Sequence, residues 1–216
     1  DSFDVLSFLE GIEETDVVVS RTGNDLRITI QNANETITVE RYFSNSSFEL
    51  NAIEFFDGTS WDSNTIKHLL LQGTNGDDQI FGFIDADMIN GLGGNDAIYG
   101  DWGNDVIDGG EGNDLLRGGN GNDILDGEEG SDAIEGGAGN DILRGGKGEG
   151  DHLEGGAGDD VYEFASGDGN TTINNHRWNE SEFDVLRFLD GVEASDVSAR
   201  RDGQDLLFRV ESTGEV

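Results

Sequence analysis

GLGGNDAIY, GDWGNDVID, GGEGNDLLR and GGNGNDILD, read from Gly91 to Asp126, are four successive copies of one nine-residue unit. Two looser copies precede them, GTNGDDQIF from Gly73 and GFIDADMIN from Gly82. Four follow, GEEGSDAIE, GGAGNDILR, GGKGEGDHLE and GGAGDDVYE, ending at Glu163. Glycine opens every unit, and an Ile, Leu or Tyr stands eighth, one place later in the ninth unit, which carries one extra residue. Glycine accepts positive φ, so the first six residues can turn tightly. The last three make a short strand whose middle side chain faces inward. Two units complete one coil. Ten give five coils of a parallel β-roll about 24 Å long at ~4.8 Å per strand, with the apolar column held between two sheets. The expected fold class is therefore all-β, a parallel β-roll (β-helix) flanked by β-rich segments with a short helix.

The sixth place carries a carboxylate: Asp78, Asp87, Asp96, Asp105, Asp114, Asp123, Asp132, Asp141 and Asp160, with Asp151 displaced by the insertion. Units two apart stack on the same side, which sets these carboxylates facing one another between successive coils. Like charges so placed require a cation. Hard oxygen donors with neither His nor Cys nearby select Ca2+ over a transition metal. Eight stacked pairs, from Asp78/Asp96 to Asp141/Asp160, allow up to about eight ions.

The units resemble the RTX (repeats-in-toxin, haemolysin-type) calcium-binding nonapeptide, a Ca2+-binding β-helix repeat. That resemblance implies a roll that is disordered without Ca2+ and folds outside the cell, in bacterial proteins exported by type I secretion. It also implies that backbone carbonyls of the turn complete each ion's shell: those of Gly91, of Gly100 and Trp102, of Gly109 and Glu111, of Gly118 and Asn120, of Gly127 and Glu129, and of Gly136 and Ala138. The second unit departs from the pattern, with Phe83 and Asp85 in place of glycines, and so does the ninth.

Composition agrees. The chain of 216 residues has a formal net charge of -35, and 26 of its 34 glycines lie in residues 73–163. That block holds 23 acids against 3 bases, a net of -20, so self-repulsion opposes compaction until cations neutralise it. A basic nucleic-acid footprint is excluded. No apolar run approaches the ~18 residues of a membrane span, and the start, Asp1-Ser2-Phe3-Asp4, is no signal peptide. The chain has no cysteine, so calcium replaces disulfides as the staple.

Residues 1–72 read as a β-rich linker or cap. Short β-branched runs at 5–9, 16–21, 26–30, 36–39 and 53–56 predict strands, with Thr22-Gly23-Asn24-Asp25 as a hairpin turn and Trp61 as an aromatic anchor. Asp62 or Ser63 caps a brief helix through Leu70, predicted to cover the first open coil. Residues 164–216 form the second cap. The aromatics of Val161-Tyr162-Glu163-Phe164 are expected to plug the roll's end. A longer repeat overlies this division: Phe183 to Glu193 returns Phe3 to Glu13 at an offset of 180, and Asp196, Val197, Arg201, Gly203, Asp205 and Leu206 return Asp16, Val17, Arg21, Gly23, Asp25 and Leu26. One period of a longer tandem array is implied, in which neighbouring blocks of the same chain are partners.

No nucleophile, general base or open metal site is legible. His68 is assigned to the helix, His152 to an outward strand position and His176 to a polar loop. Phe81, Tyr99 and Trp102 form an outward aromatic patch. The expected protein is a non-enzymatic, monomeric calcium-binding block, secreted or at the cell surface, that stiffens a large toxin or adhesin. The alternatives are a module binding a host-cell receptor or glycan, and a scaffold attached to a secreted enzyme.

Overall fold

The computed structural model describes residues 4–44, 50–175, 183–189, 191–195, 197–202 and 205–210. It divides into two units, Asp1–Gln72 and Gly73–Val216.

The first unit contains β1 (Val5–Ser7), β2 (Val17–Thr22), β3 (Asp25–Ile30), β4 (Glu35–Val39), β5 (Ala52–Glu54), β6 (Ser60–Asp62) and the helix α1 (Ser63–Leu70). β2, β3 and β4 form an antiparallel sheet. Alternation along it sends Val17, Val19, Leu26, Ile28 and Ile30 into the core. In the second sheet β5 pairs in parallel with β1 and antiparallel with β6. Phe55 stacks on Phe8 at 5.6 Å and meets Trp61 edge-on at 4.9 Å. The Asp62 carboxylate caps α1, accepting from the Thr65 N–H at 2.7 Å and the Thr65 hydroxyl at 2.8 Å. α1 packs on β2 and β6 and buries Ile66 in the unit's own core.

The second unit begins with β7 (Gln79–Phe81), β8 (Met88–Asn90), β9 (Ala97–Trp102), β10 (Val106–Asp108), β11 (Leu115–Asn120) and β12 (Ile124–Asp126). It continues through β13 (Glu129–Gly130), β14 (Ala133–Ala138), β15 (Ile142–Arg144), β16 (Lys147–Gly148), β17 (Asp151–Ala157) and β18 (Val161–Phe164). β19 (Thr171–Ile173), β20 (Val185–Phe188), β21 (Val197–Asp202) and β22 (Asp205–Val210) complete it. β7, β9, β11, β14, β17 and β19 stack into one parallel sheet, and β8, β10, β12, β15, β18 and β20 into the other. This is the parallel β-roll that the nine-residue period demands. The apolar column from Ile80 through Ile89, Ile98, Ile107, Leu116, Leu125, Ile134, Leu143 and Leu153 to Tyr162 is at most 5 % exposed at any rung. At ~25 cal/mol per Å2 each fully buried Ile or Leu contributes about 2 kcal/mol.

The ten units build the five coils expected of them, and one expectation is corrected. Each sheet has six strands, where ten units account for five coils, because β19 and β20 add a rung. The roll therefore does not end at the aromatics of 161–164. Val161, Tyr162, Glu163 and Phe164 each have a parallel partner in Val185–Phe188. Tyr162 nevertheless fills the interior, its hydroxyl accepting from the Gly155 N–H at 2.9 Å. The extra residue of the ninth unit is absorbed before β17, so the register resumes with Ala133 opposite His152 and Ile134 opposite Leu153.

Candidate metal centre

Each turn ends in the short strand that buries its eighth residue, and this fixes the sixth-place aspartate two residues earlier at the inner corner. Asp96, Asp105, Asp114, Asp123, Asp132, Asp141, Asp151 and Asp160 are all at most 3 % exposed. Carboxylates are almost never buried without a partner. One oxygen has such a partner. Oδ1 of Asp96 accepts from the main-chain N–H of Asp78 one coil earlier, and Asp105, Asp114, Asp123 and Asp141 do the same for Asp87, Asp96, Asp105 and Asp123, all at 2.8 Å. Asp132 serves Asp114 at 2.8 Å, Asp151 serves Asp132 at 3.1 Å and Asp160 serves Asp141 at 3.0 Å.

The other oxygen is the informative one. Oδ2 of Asp96, Asp105, Asp114, Asp123, Asp132 and Asp141 is buried with no hydrogen-bond partner. Each points at the glycine that opens its own unit. A Cβ built on Gly91, Gly100, Gly109, Gly118, Gly127 or Gly136 would stand 2.3–2.5 Å from that Oδ2 and 2.2–3.1 Å from the carbonyl oxygen of the first glycine one coil on. Glycine is thus required beside each Oδ2, and the two oxygens that crowd it, a carboxylate and a main-chain carbonyl, are the hard donor types that Ca2+ takes. Among the described residues no three His, Asp or Glu side chains come together. The oxygens beside each opening glycine are instead one carboxylate per turn with main-chain carbonyls.

Burial sets the electrostatics of this column. Desolvation pushes the carboxyls of Asp96, Asp105, Asp114, Asp123 and Asp151 above their ordinary value, against the lowering effect of the N–H each accepts. Asp132 and Asp141 are pushed up to about 7, with the carboxylates one coil away adding to the effect of burial. A row of carboxylates this costly to ionise is one that a divalent cation would stabilise.

Comparison with known families agrees. The model of the RTX calcium-binding nonapeptide repeat (4 copies) matches in overlapping segments from residue 70 to residue 171. Residues 70–171 are RTX calcium-binding nonapeptide repeats. Residues 25–65 match the haemolysin-type calcium binding protein related domain. The chain is 38% identical over 90 residues to the iron-regulated protein FrpA of Neisseria meningitidis serogroup C. That match covers 40% of this chain and 8% of the relative's length. The RTX block is thus a Ca2+-binding kind of β-roll, typical of secreted bacterial proteins, and no enzyme family is indicated. No helix among the described residues is long and apolar enough to cross a membrane.

The RTX turns are not equivalent. Oδ2 of Asp78 accepts from the Thr74 N–H at 2.6 Å and the Thr74 hydroxyl at 2.8 Å, and Oδ2 of Asp87 accepts from the Phe83 N–H at 2.5 Å. These first two carboxylates turn back on their own loops. Asp151 gains the Thr171 hydroxyl at 3.3 Å. Among the third-place carbonyls, those of Glu111, Asn120, Glu129 and Ala138 accept from Gly94, Gly103, Gly112 and Gly121 at 2.7–2.9 Å, which leaves each one further lone pair. Trp102 is 56% exposed, and the outward patch is a Phe81–Tyr99 stack at 5.1 Å with Arg117 over Tyr99. His68 lies on α1 and His152 is exposed on β17. His176 is outside the described residues.

The fifth-place asparagines have a role that their spacing alone did not disclose. Oδ1 of Asn95 accepts from the Asn113 N–H at 2.9 Å, and Asn104 serves Asn122, Asn113 serves Ser131 and Asn122 serves Asn140 in the same way. This outer ladder ties coil to coil beside the aspartates. Its signal was the recurrence of Asn at one place in the period.

Proposed function

We propose that this RTX block is a calcium-triggered folding element of a large secreted bacterial protein. The supporting observation is the set of six buried, unpartnered Oδ2 atoms recurring in stacked turns. Asp96, Asp105, Asp114, Asp123, Asp132 and Asp141 are the carboxylate ligands, with the carbonyls of the first-place glycines beside them. Asp78, Asp87, Asp151 and Asp160 flank the column. Bound Ca2+ supplies the positive charge that lets these carboxylates stay ionised inside the roll. Without it the block, at net -20, is kept extended by its own repulsion. Such a chain is suited to export in an unfolded state and to ordering where Ca2+ is abundant, because binding stabilises only the folded form. Extracellular oxygen-ligand sites bind at about 10^-4 to 10^-3 M. Residues 1–72, and the residues that follow the sixth rung, serve as linkers between such blocks, which makes the assembly a stiffening segment of a toxin or adhesin.

Circular dichroism during a Ca2+ titration tests this, with Mg2+ as control. The β signal should rise cooperatively with Ca2+ and not with Mg2+, and Asp114→Ala should move the midpoint several-fold higher. A roll already formed in a chelator, with Asp114→Ala indistinguishable from wild type, would overturn the reading.

A further inference from the structure

Among the described residues, the strands of 183–210 repeat those of 4–30. β21 and β22 stand where β2 and β3 stand, moved by 180, and Val197 faces Val210 as Val17 faces Ile30. β20 is the counterpart of β1. Both copies are edge strands among the described residues, and each pairs in parallel with a strand of one kind. For β20 that strand is Val161-Tyr162-Glu163-Phe164, and for β1 it is Ala52-Ile53-Glu54, continued by Phe55. The aromatics correspond as well, Phe188 against Phe164 and Phe8 against Phe55.

The two copies use opposite edges. On β20 the N–H groups of Val185 and Leu189 donate to the carbonyls of Asp160 and Phe164 at 2.8 and 2.9 Å. On β1 the Phe8 N–H donates to the Glu54 carbonyl at 2.8 Å, and the Asp4 carbonyl accepts from the Asn51 N–H at 2.7 Å. Successive residues of a strand direct their main-chain groups to alternate sides. β20 therefore spends its odd-numbered residues on the roll, and β1 its even-numbered ones on β5. An offset of 180 preserves parity, so the edge that β1 gives to β5 is the edge that β20 leaves open.

Charge points the same way. Asp126, Arg144, Glu163 and Arg187 face one another on successive rungs. Their contacts are 3.4 Å for Asp126–Arg144 and 2.6 Å each for Arg144–Glu163 and Glu163–Arg187. Ser7, the counterpart of Arg187, faces Glu54 in β5 and donates to it at 3.4 Å. A β5 strand laid beyond β20 would set a glutamate beside Arg187 and continue the alternation.

We propose that β20 is a two-sided joint: its open edge takes the β5–β6 hairpin (Ala52–Asp62) of a following copy of residues 1–72, so that one shared strand carries the roll's sheet into the next linker unit. The proposal rests on the roll forming in Ca2+ as proposed above.

The test is a polypeptide of residues 1–193 followed by residues 14–216, which runs the 180-residue period through twice around one Phe183–Leu189 strand. Hydrogen exchange resolved to single amides is compared with that of the 216-residue chain, both in Ca2+. The amides of Leu186 and Phe188 at the joint should slow by about tenfold or more, while those of Val185 and Leu189 are slow in both. Glu54→Gln in the following copy should remove much of the added slowing and leave Val185 and Leu189 unchanged. Leu186 and Phe188 exchanging at the single-chain rate, with Val185 and Leu189 still slow, overturns the joint. All four exchanging fast would mean the roll itself has not formed; then the calcium reading fails and the joint falls with it.

Discussion

Asp123 performs two tasks with its two oxygens, and substitution can separate them. Oδ1 holds the Asp105 N–H at 2.8 Å and Oδ2 is the unpartnered atom beside Gly118. Asp123→Asn keeps an acceptor for the amide but removes the charge. It should weaken Ca2+ binding while the roll still forms at high Ca2+. Asp123→Ala strands a buried N–H as well, which costs a further 1–3 kcal/mol or so. Calorimetric Ca2+ titration and thermal melts of both variants at saturating Ca2+ distinguish the two. Equal melting temperatures would show that Oδ1 contributes nothing to the fold. Gly121 sets the steric limit in the same turns. Its φ is +140, and a Cβ there would lie 1.4 Å from the Gly103 carbonyl oxygen. Gly121→Ala should destabilise the Ca2+-loaded roll by more than about 3 kcal/mol. Gly76→Ala, whose nearest neighbour would be 3.8 Å away, should be close to neutral in the same melts. The spacing of Asp and of Ile or Leu was legible because a period of nine fixes which residues share a corner or a column. Which oxygen of Asp123 faces the glycine was not legible, since that depends on the main-chain N–H one coil away.

Among the elements, α1 could be read in advance because a capping carboxylate followed by an apolar pair is a local signal, and Asp62 bonds Thr65 accordingly. The sixth rung could not. Thr171–Ile173 and Val185–Phe188 carry no Gly-x-x-Gly-Asn-Asp pattern, and their place in the roll comes from pairing with β17 and β18. Glu163 is what fastens that rung. Its side chain is 5 % exposed and accepts from both Arg144 and Arg187 at 2.6 Å. Burial pushes its carboxyl up, but the hydrogen bonds and charges of the two arginines outweigh it and hold the group below its ordinary 4.5. A carboxyl lowered on folding stabilises fully above the unfolded value and loses that contribution as pH falls through the folded one. Glu163→Gln should therefore lower stability by about 1–2 kcal/mol at pH 7, both arginines being partly exposed. The difference from wild type should shrink below about pH 4.5. Thermal melts of both proteins at pH 7 and pH 4, at saturating Ca2+, check this. A difference independent of pH would assign the effect to packing instead of charge.

At the scale of the whole molecule the two units are stabilised by different means, and chelation should part them. Asp1–Gln72 draws on an apolar core of Phe8, Leu26, Ile28, Ile53, Phe55, Trp61 and Ile66, and every buried carboxylate among the described residues belongs to the other unit. The roll has one buried apolar residue for each unit of nine, and beside each from Ile98 to Tyr162 stands a buried aspartate. With one buried apolar side chain per nine residues and a buried carboxylate beside it, the roll draws less on apolar burial than the first unit, whose core holds eleven buried apolar side chains, and depends more on whatever offsets those carboxylates. Limited proteolysis in a chelator should therefore cut first within residues 73–175 and leave a resistant fragment spanning about residues 1–72. Added Ca2+ should slow the roll cleavages by at least about tenfold and barely change cutting in the first unit. Mass spectrometry of the digests locates both sets of sites. If residues 1–72 are cut as fast as the roll in the chelator and gain equal protection from Ca2+, the first unit depends on the same ions and the separation of the two cores is wrong.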